Sequence, residues 1–165
     1  MNSDRLAFSF DELPPSINKL YFPRAGRLVL VTEGKKYKRR FVSARGGCTV
    51  ENLLQFNLSE EEKLGGKFVL HLTFRIPKEK LYNAKYGKDK RVKSPIRKLD
   101  VSNLIKITED CISEITGIDD RQYWIVVSQK VESESPGIDA LLVKGSNIYV
   151  CLDRTIERDP LKENK

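Results

Sequence analysis

Three cysteines, one histidine, one tryptophan and one methionine among 165 residues exclude several kinds of protein at once. Cys48, Cys111 and Cys151 are far apart, odd in number and never in a CxxC pair. That pattern argues against a zinc ribbon and against a disulfide framework, and it points to a reducing, cytoplasmic setting. His71 stands alone on a predicted strand, with no serine, cysteine or carboxylate at a spacing that would make it a catalyst. No apolar run approaches the roughly 18 residues of a membrane span, and the N-terminus, with Asp4 and Arg5 among short apolar pieces, lacks the apolar stretch of a signal peptide. Repeats and low-complexity tracts are missing too. The chain reads as a soluble protein with no membrane partner and no organic cofactor.

Positive charge is what the chain has in excess. Lysine and arginine number 30 against 23 aspartates and glutamates, a formal net charge of +7 that favours phosphate-rich partners and salt-sensitive binding. Much of it lies between Arg75 and Lys98, where Lys78, Lys80, Lys85, Lys88, Lys90, Arg91, Lys93 and Arg97 face only Glu79 and Asp89. A second cluster comprises Lys35, Lys36, Lys38, Arg39 and Arg40, and Lys19 adds an earlier cation. Lys19, Lys35, Lys36, Lys38, Arg39, Lys88, Lys90, Arg91, Lys93, Arg97 and Lys98 are the candidate DNA contacts. Tyr21, Tyr37, Tyr82 and Tyr86 sit among basic residues and are candidate nucleic-acid contacts as well. Tyr123 and Trp124 follow the acidic pair and could stack on bases, but aromatics entering a strand ordinarily pack in the sheet.

Periodicity organises the remainder. Leu6 to Phe10 alternates as a strand, and Pro14-Pro15 then fixes an extended turn. Arg27 to Thr32 reads as a short strand, and Lys35 to Val42 as a basic helix that Arg45-Gly46-Gly47 breaks. Val50, Leu53, Leu54, Phe56 and Leu58 suit either a helix or an irregular packed segment, followed by a capped turn at Ser59-Glu60-Glu61-Glu62. Phe68, Leu70, Leu72, Phe74 and Ile76 alternate with His71, Thr73 and Arg75 in a half-buried strand that Pro77 ends. The spacing of Leu104, Ile107, Cys111 and Ile115 predicts a helix from about Val101 that stops at Gly117. Tyr123 to Val131 is expected as a strand, with a final hairpin of 139–143 and 147–152. The order predicts one mixed α/β (α+β) domain over 1–153, helices packed on a sheet, with a basic loop at 77–98 and a charged tail at 154–165.

Chemistry concentrates between Leu99 and Gln122. Asp100 and Asn103 open the predicted helix, Lys106 follows one turn later, and Asp119-Asp120 close the segment beyond Gly117. Ser102, Lys106, Glu109, Asp110 and Ser113 share the face opposite Leu104, Ile107 and Cys111. Taken alone, that face reads first as an ordinary solvated one, with Ser102 or Asn103 as N-cap and a Lys106–Asp110 pair at i,i+4. In the functional alternative, Asp100 and Asp120 are hard oxygen ligands for Mg2+ or Mn2+, and Lys106 neutralises charge developing on a phosphate.

The segment Asp100-Val-Ser-Asn-Leu-Ile-Lys106, with Gly117 and Asp119-Asp120-Arg-Gln122, resembles the D-x-D-N-L-x-K and D-D-x-Q core of the RusA Holliday junction resolvases. Pro14-Pro15-Ser-Ile-Asn18-Lys-Leu-Tyr21 resembles the P-P-S-x-N opening of the same family. The resemblance implies a homodimeric endonuclease, dependent on Mg2+ or Mn2+, that nicks four-way DNA junctions symmetrically in recombination and repair. Position by position it implies Asp100, Asp120 and Lys106 as catalytic residues. The middle aspartate of the motif is Ser102 here. Three accounts remain open: metal held by Asp100 and Asp120 with Ser102 as a neutral or water-mediated ligand; Asp119, Asp110 or Glu109 supplying the missing charge; or a junction-binding protein without catalysis.

Overall fold

Alternation of apolar and polar side chains decides which segments enter the sheet, and helical spacing decides which cover it. The computed structural model describes residues 3–15, 21–97 and 101–145. Its elements run β1 (Arg5–Phe10), β2 (Tyr21–Arg24), β3 (Arg27–Leu30), α1 (Thr32–Ser43), α2 (Val50–Gln55), α3 (Glu60–Gly65), β4 (Phe68–Ile76), α4 (Lys78–Leu81), α5 (Val101–Thr116), β5 (Tyr123–Glu132) and β6 (Gly137–Lys144). Short 3-10 turns at Arg45–Gly47 and Asp120–Gln122 follow α1 and α5.

Four strands form a mixed sheet in the order β1-β6-β4-β5. β6 runs antiparallel to both β1 and β4, whereas β5 runs parallel to β4. A parallel neighbour requires a long crossover, and α5 lies within it. The crossover therefore delivers the turn at Asp120 to the start of edge strand β5. One sheet face carries Leu6 and Phe8 of β1, Phe68, Leu70, Leu72, Phe74 and Ile76 of β4, and Ile138, Ala140 and Leu142 of β6. All are buried against Tyr37 and Phe41 of α1 and Leu104, Ile107, Cys111 and Ile112 of α5. Each such aliphatic or aromatic side chain contributes about 1.5–3 kcal/mol on burial. Two glycines make the join between β1 and α1: a Cβ at Gly46 would meet the Phe41 ring at 2.6 Å, and one at Gly47 would lie 1.9 Å from Ser9 O. Gly117, at φ 74, closes α5 in the left-handed conformation that suits glycine.

Several expectations are corrected. Tyr21–Arg24, for which the sequence pattern predicts no strand, is hairpinned to β3. The 77–98 segment is not bare loop, since α4 opens it and Tyr82 bridges Ile96. Tyr37, a candidate nucleic-acid contact, is 1% exposed and packs by its edge on Phe10, while Trp124, expected to pack in the sheet, is 60% exposed. The ambiguous stretch resolves into α2 and α3, the latter with the Ser59–Glu62 capping box. Residues 147–152, expected as the second strand of a final hairpin, lie outside the described residues. The 154–165 tail and Cys151 also lie outside them. Cys48 and Cys111 are buried and free. None of the described helices is long and apolar enough to cross a membrane.

Candidate active site

The polar face of α5 carries a bonded network that reaches beyond the helix. Lys106 Nζ donates to Asp120 Oδ2 and pairs with Asp110 Oδ1 at 3.0 Å. Asp110 is held on its other oxygen by the Tyr21 hydroxyl, which donates to Oδ2 at 2.5 Å. The i,i+4 pair is thus present, but as one arm of a network joining β2, α5 and the turn before β5. Burial alone would lower the Lys106 pKa, yet its bonds to Asp120 and Asp110 outweigh that and raise it above the usual lysine value. Burial, reinforced by Asp110, pushes the Tyr21 hydroxyl far up. Half-buried Glu109 also has a raised carboxyl pKa, mainly from burial, with Asp120 and Asp110 adding to the rise and Lys106 opposing it. Lys106 thus stays an ammonium at neutral pH, fixed between two acids.

The Asp119-Asp120 pair divides its labour. Asp119 N-caps the 3-10 turn: its Oδ1 accepts from Arg121 N at 3.0 Å, and the Arg121 guanidinium forks onto its carboxylate at 2.8 and 2.7 Å. Arg121 holds that carboxyl well below the usual carboxylate range. The buried Gln122 accepts from Asp119 N at 3.0 Å and donates from Nε2 to Glu62 O and Gly66 O at 3.2 and 3.1 Å. These bonds pin the turn to the α3–β4 connection, and Asp120 is left aimed at Lys106. Beside it, Lys38, Asp110, Ser113, Glu114, Asp119 and Asp120 line an open depression of about 380 Å3.

The remaining candidates distribute unevenly. Asp100, Asn18, Lys19 and Lys98 lie outside the described residues, as does the side chain of Asn103, whose backbone is helical. Pro14 and Pro15 sit in the irregular segment after β1, and Ser102 is exposed on the first turn of α5. Lys38 is ion-paired to Glu114 at 2.8 Å, and Lys36 reaches Glu33 at 3.4 Å. Lys35, Arg39, Lys88, Lys90, Lys93 and Arg97 are exposed and make no ion pair among the described residues, while Arg91 forks onto Asp89. Sequence reasoning missed Gln122 as an anchor and Asp110 as the junction of two bonds. The D-D-x-Q spacing, which is that of a capping box, was the available signal.

Asp120 and Asp110 are hard oxygen donors, the right chemical type for Mg2+ or Mn2+, which keep waters and substrate phosphates in their shells. Among the described residues, however, no group of three or more histidines, cysteines or acids is gathered as ligands. The donor type fits.

On this basic chain, a fixed ammonium thus bridges two carboxylates beside an open depression. The model for endodeoxyribonuclease RusA matches residues 17–140, and the chain belongs to the RusA family of Holliday junction resolvases. The RusA family is a family of endodeoxyribonucleases that act on branched DNA junctions in recombination, and RusA endonucleases generally depend on a divalent metal. No curated protein matches the chain.

Proposed function

We propose that this chain binds four-way DNA junctions as a homodimer and nicks them symmetrically with the help of Mg2+ or Mn2+, in recombination and repair in the cytoplasm. The observation that carries the reading is the Lys106 ammonium bridging Asp110 and Asp120 beside an open depression. Asp120 and Asp100 would hold the cation, with Ser102 as a neutral or water-mediated ligand; Asp119 could join them by releasing Arg121. A cation held by these residues would supply Lewis acidity for water and for the leaving oxygen. Lys106 neutralises charge gathering on the scissile phosphate, and Asp110, steadied by Tyr21, keeps the ammonium in place beforehand. Exposed cations of the 78–97 segment and of α1 hold the DNA arms, and a two-fold axis would double that surface.

A second reading, binding without cutting, is favoured by one specific observation. Ser102 brings no charge to the middle motif position, and Lys106 already engages both described carboxylates. A labelled immobile four-way junction and a linear duplex, each with metal or chelator, separate the two readings. Paired, metal-dependent nicks in the junction that fall at least about 100-fold in Asp120→Asn establish the enzyme, since losing one preorganised electrostatic group has that scale. Tight junction binding without nicks, together with cutting gained in Ser102→Asp, establishes the binding protein.

A further inference from the structure

Trp124 is the residue that fits its surroundings least. It lies on a strand, where an indole ordinarily packs inward, yet it is 60% exposed. Phe68 pairs with Tyr123 and Val69 with Ile125, so the register shifts at Trp124, which has no partner on β4, and on this edge strand Val126 and Ser128 are exposed in the same alternation. Register shifts of this kind cluster beside functional sites. This one follows the Asp120–Gln122 turn directly, and its neighbour Tyr123 is tied back to α5 by a 3.1 Å bond between its hydroxyl and Ser113.

The indole also has company. Lys67 Nζ lies 4.0 Å from the ring centroid, within cation–π range. Lys67 is exposed and makes no ion pair among the described residues, while its carbonyl accepts from Gly145 N at 2.7 Å and fixes the backbone beneath it. An exposed indole with one face under an ammonium that has no carboxylate partner among the described residues matches the two halves of a nucleotide: a base to stack on the ring's other face and a phosphate to neutralise.

We propose that Trp124 and Lys67 form a nucleotide platform beside Asp120, on which an unstacked base at the branch of the DNA substrate stacks while Lys67 meets its phosphate. This rests on the junction-binding reading given above. It assigns this chain a contact that orients the strand next to the cutting site, distinct from the groups that act on the phosphodiester.

Trp124 is the chain's single tryptophan, so its emission reports the platform without labelling. Wild-type protein in chelator is titrated with an unlabelled four-way junction while indole emission is followed, and in parallel with a dye-labelled junction followed by anisotropy. Emission is expected to quench and to saturate at the same DNA concentration as anisotropy. Trp124→Ala should weaken junction binding roughly 5- to 150-fold, the range given by loss of one base–aromatic stack. Trp124→Phe should retain most of the affinity, and Lys67→Ala should lower the salt slope by about 0.9. Saturating anisotropy with unchanged emission, or wild-type affinity in Trp124→Ala, overturns the platform alone. Absence of any anisotropy change overturns the junction reading and the platform with it. An emission shift that follows protein concentration without DNA also overturns the platform, by assigning the indole to a contact between copies of the chain.

Discussion

Around the C-terminal half of α5 nearly every charge is answered, whereas between Lys78 and Arg97 nearly none is. Lys106 meets Asp110 and Asp120, Lys38 meets Glu114, and Asp119 meets Arg121. In the basic segment only Arg91 has a partner, Asp89, among the described residues. Partly buried charges need partners to offset lost hydration, and a partner also fixes their direction. Exposed lysines cost little to keep and retain counterions that a phosphate can displace. The first arrangement suits a reaction centre and the second a surface that holds polyanions. One family domain thus separates positioning from attraction.

The largest effect that would sharpen this contrast comes from the basic side. Replacing Lys88, Lys90, Lys93 and Arg97 together with alanine should lower the slope of log affinity against log salt by about three to four, at roughly 0.9 per phosphate contact. Single-turnover nicking at saturating junction, and the thermal midpoint, should stay at wild-type values, because these side chains are exposed and unpaired. An unchanged salt slope would show that the segment does not touch phosphate.

A smaller effect should come from the answered side. Gln122 is 7% exposed and joins three backbone groups. Gln122→Ala would strand Asp119 N and the carbonyls of Glu62 and Gly66, at about 1–3 kcal/mol of stability. Because the turn also carries Asp120, nicking should slow while junction affinity and its salt slope stay put. Urea unfolding and single-turnover rates check both halves; loss of affinity in parallel with rate would contradict the division between the two regions.

How much of this the sequence revealed depends on how local each feature is. β4 and α5 were legible because alternation and helical spacing are local, and both emerge with the expected inward residues. The pairing of Lys106 with Asp110 was legible at i,i+4 for the same reason. Its bond to Asp120 and the Tyr21–Asp110 bond were not, since they span 14 and 89 residues and depend on where the crossover and the β2–β3 hairpin land. Tyr37 and Trp124 were misread for opposite reasons. A basic neighbourhood in sequence says nothing of the helix face on which Tyr37 falls, and a strand pattern gives no warning that β5 lies at the sheet edge, where Trp124, Val126 and Ser128 stay exposed.

The smallest predicted effect pits Lys106 against the chain's only histidine. Burial disfavours both an ammonium and an imidazolium, but two carboxylates reverse the outcome for Lys106. His71 sits across from Leu141 and Val127 on the other sheet face, and its Nε2 is buried with no hydrogen-bond partner among the described residues. Burial therefore lowers its pKa below the ordinary value. A depressed folded pKa favours the folded state while the ring is neutral. That contribution is complete above the unfolded histidine pKa of about 6.5 and is lost as pH falls through the lower folded value. Between pH 7.5 and 5 the thermal midpoint of the wild type should fall further than that of His71→Gln, and the imidazole NMR signal should titrate below 6.5. An imidazole titrating at or above 6.5 would mean that His71, like Lys106, has an acid answering it.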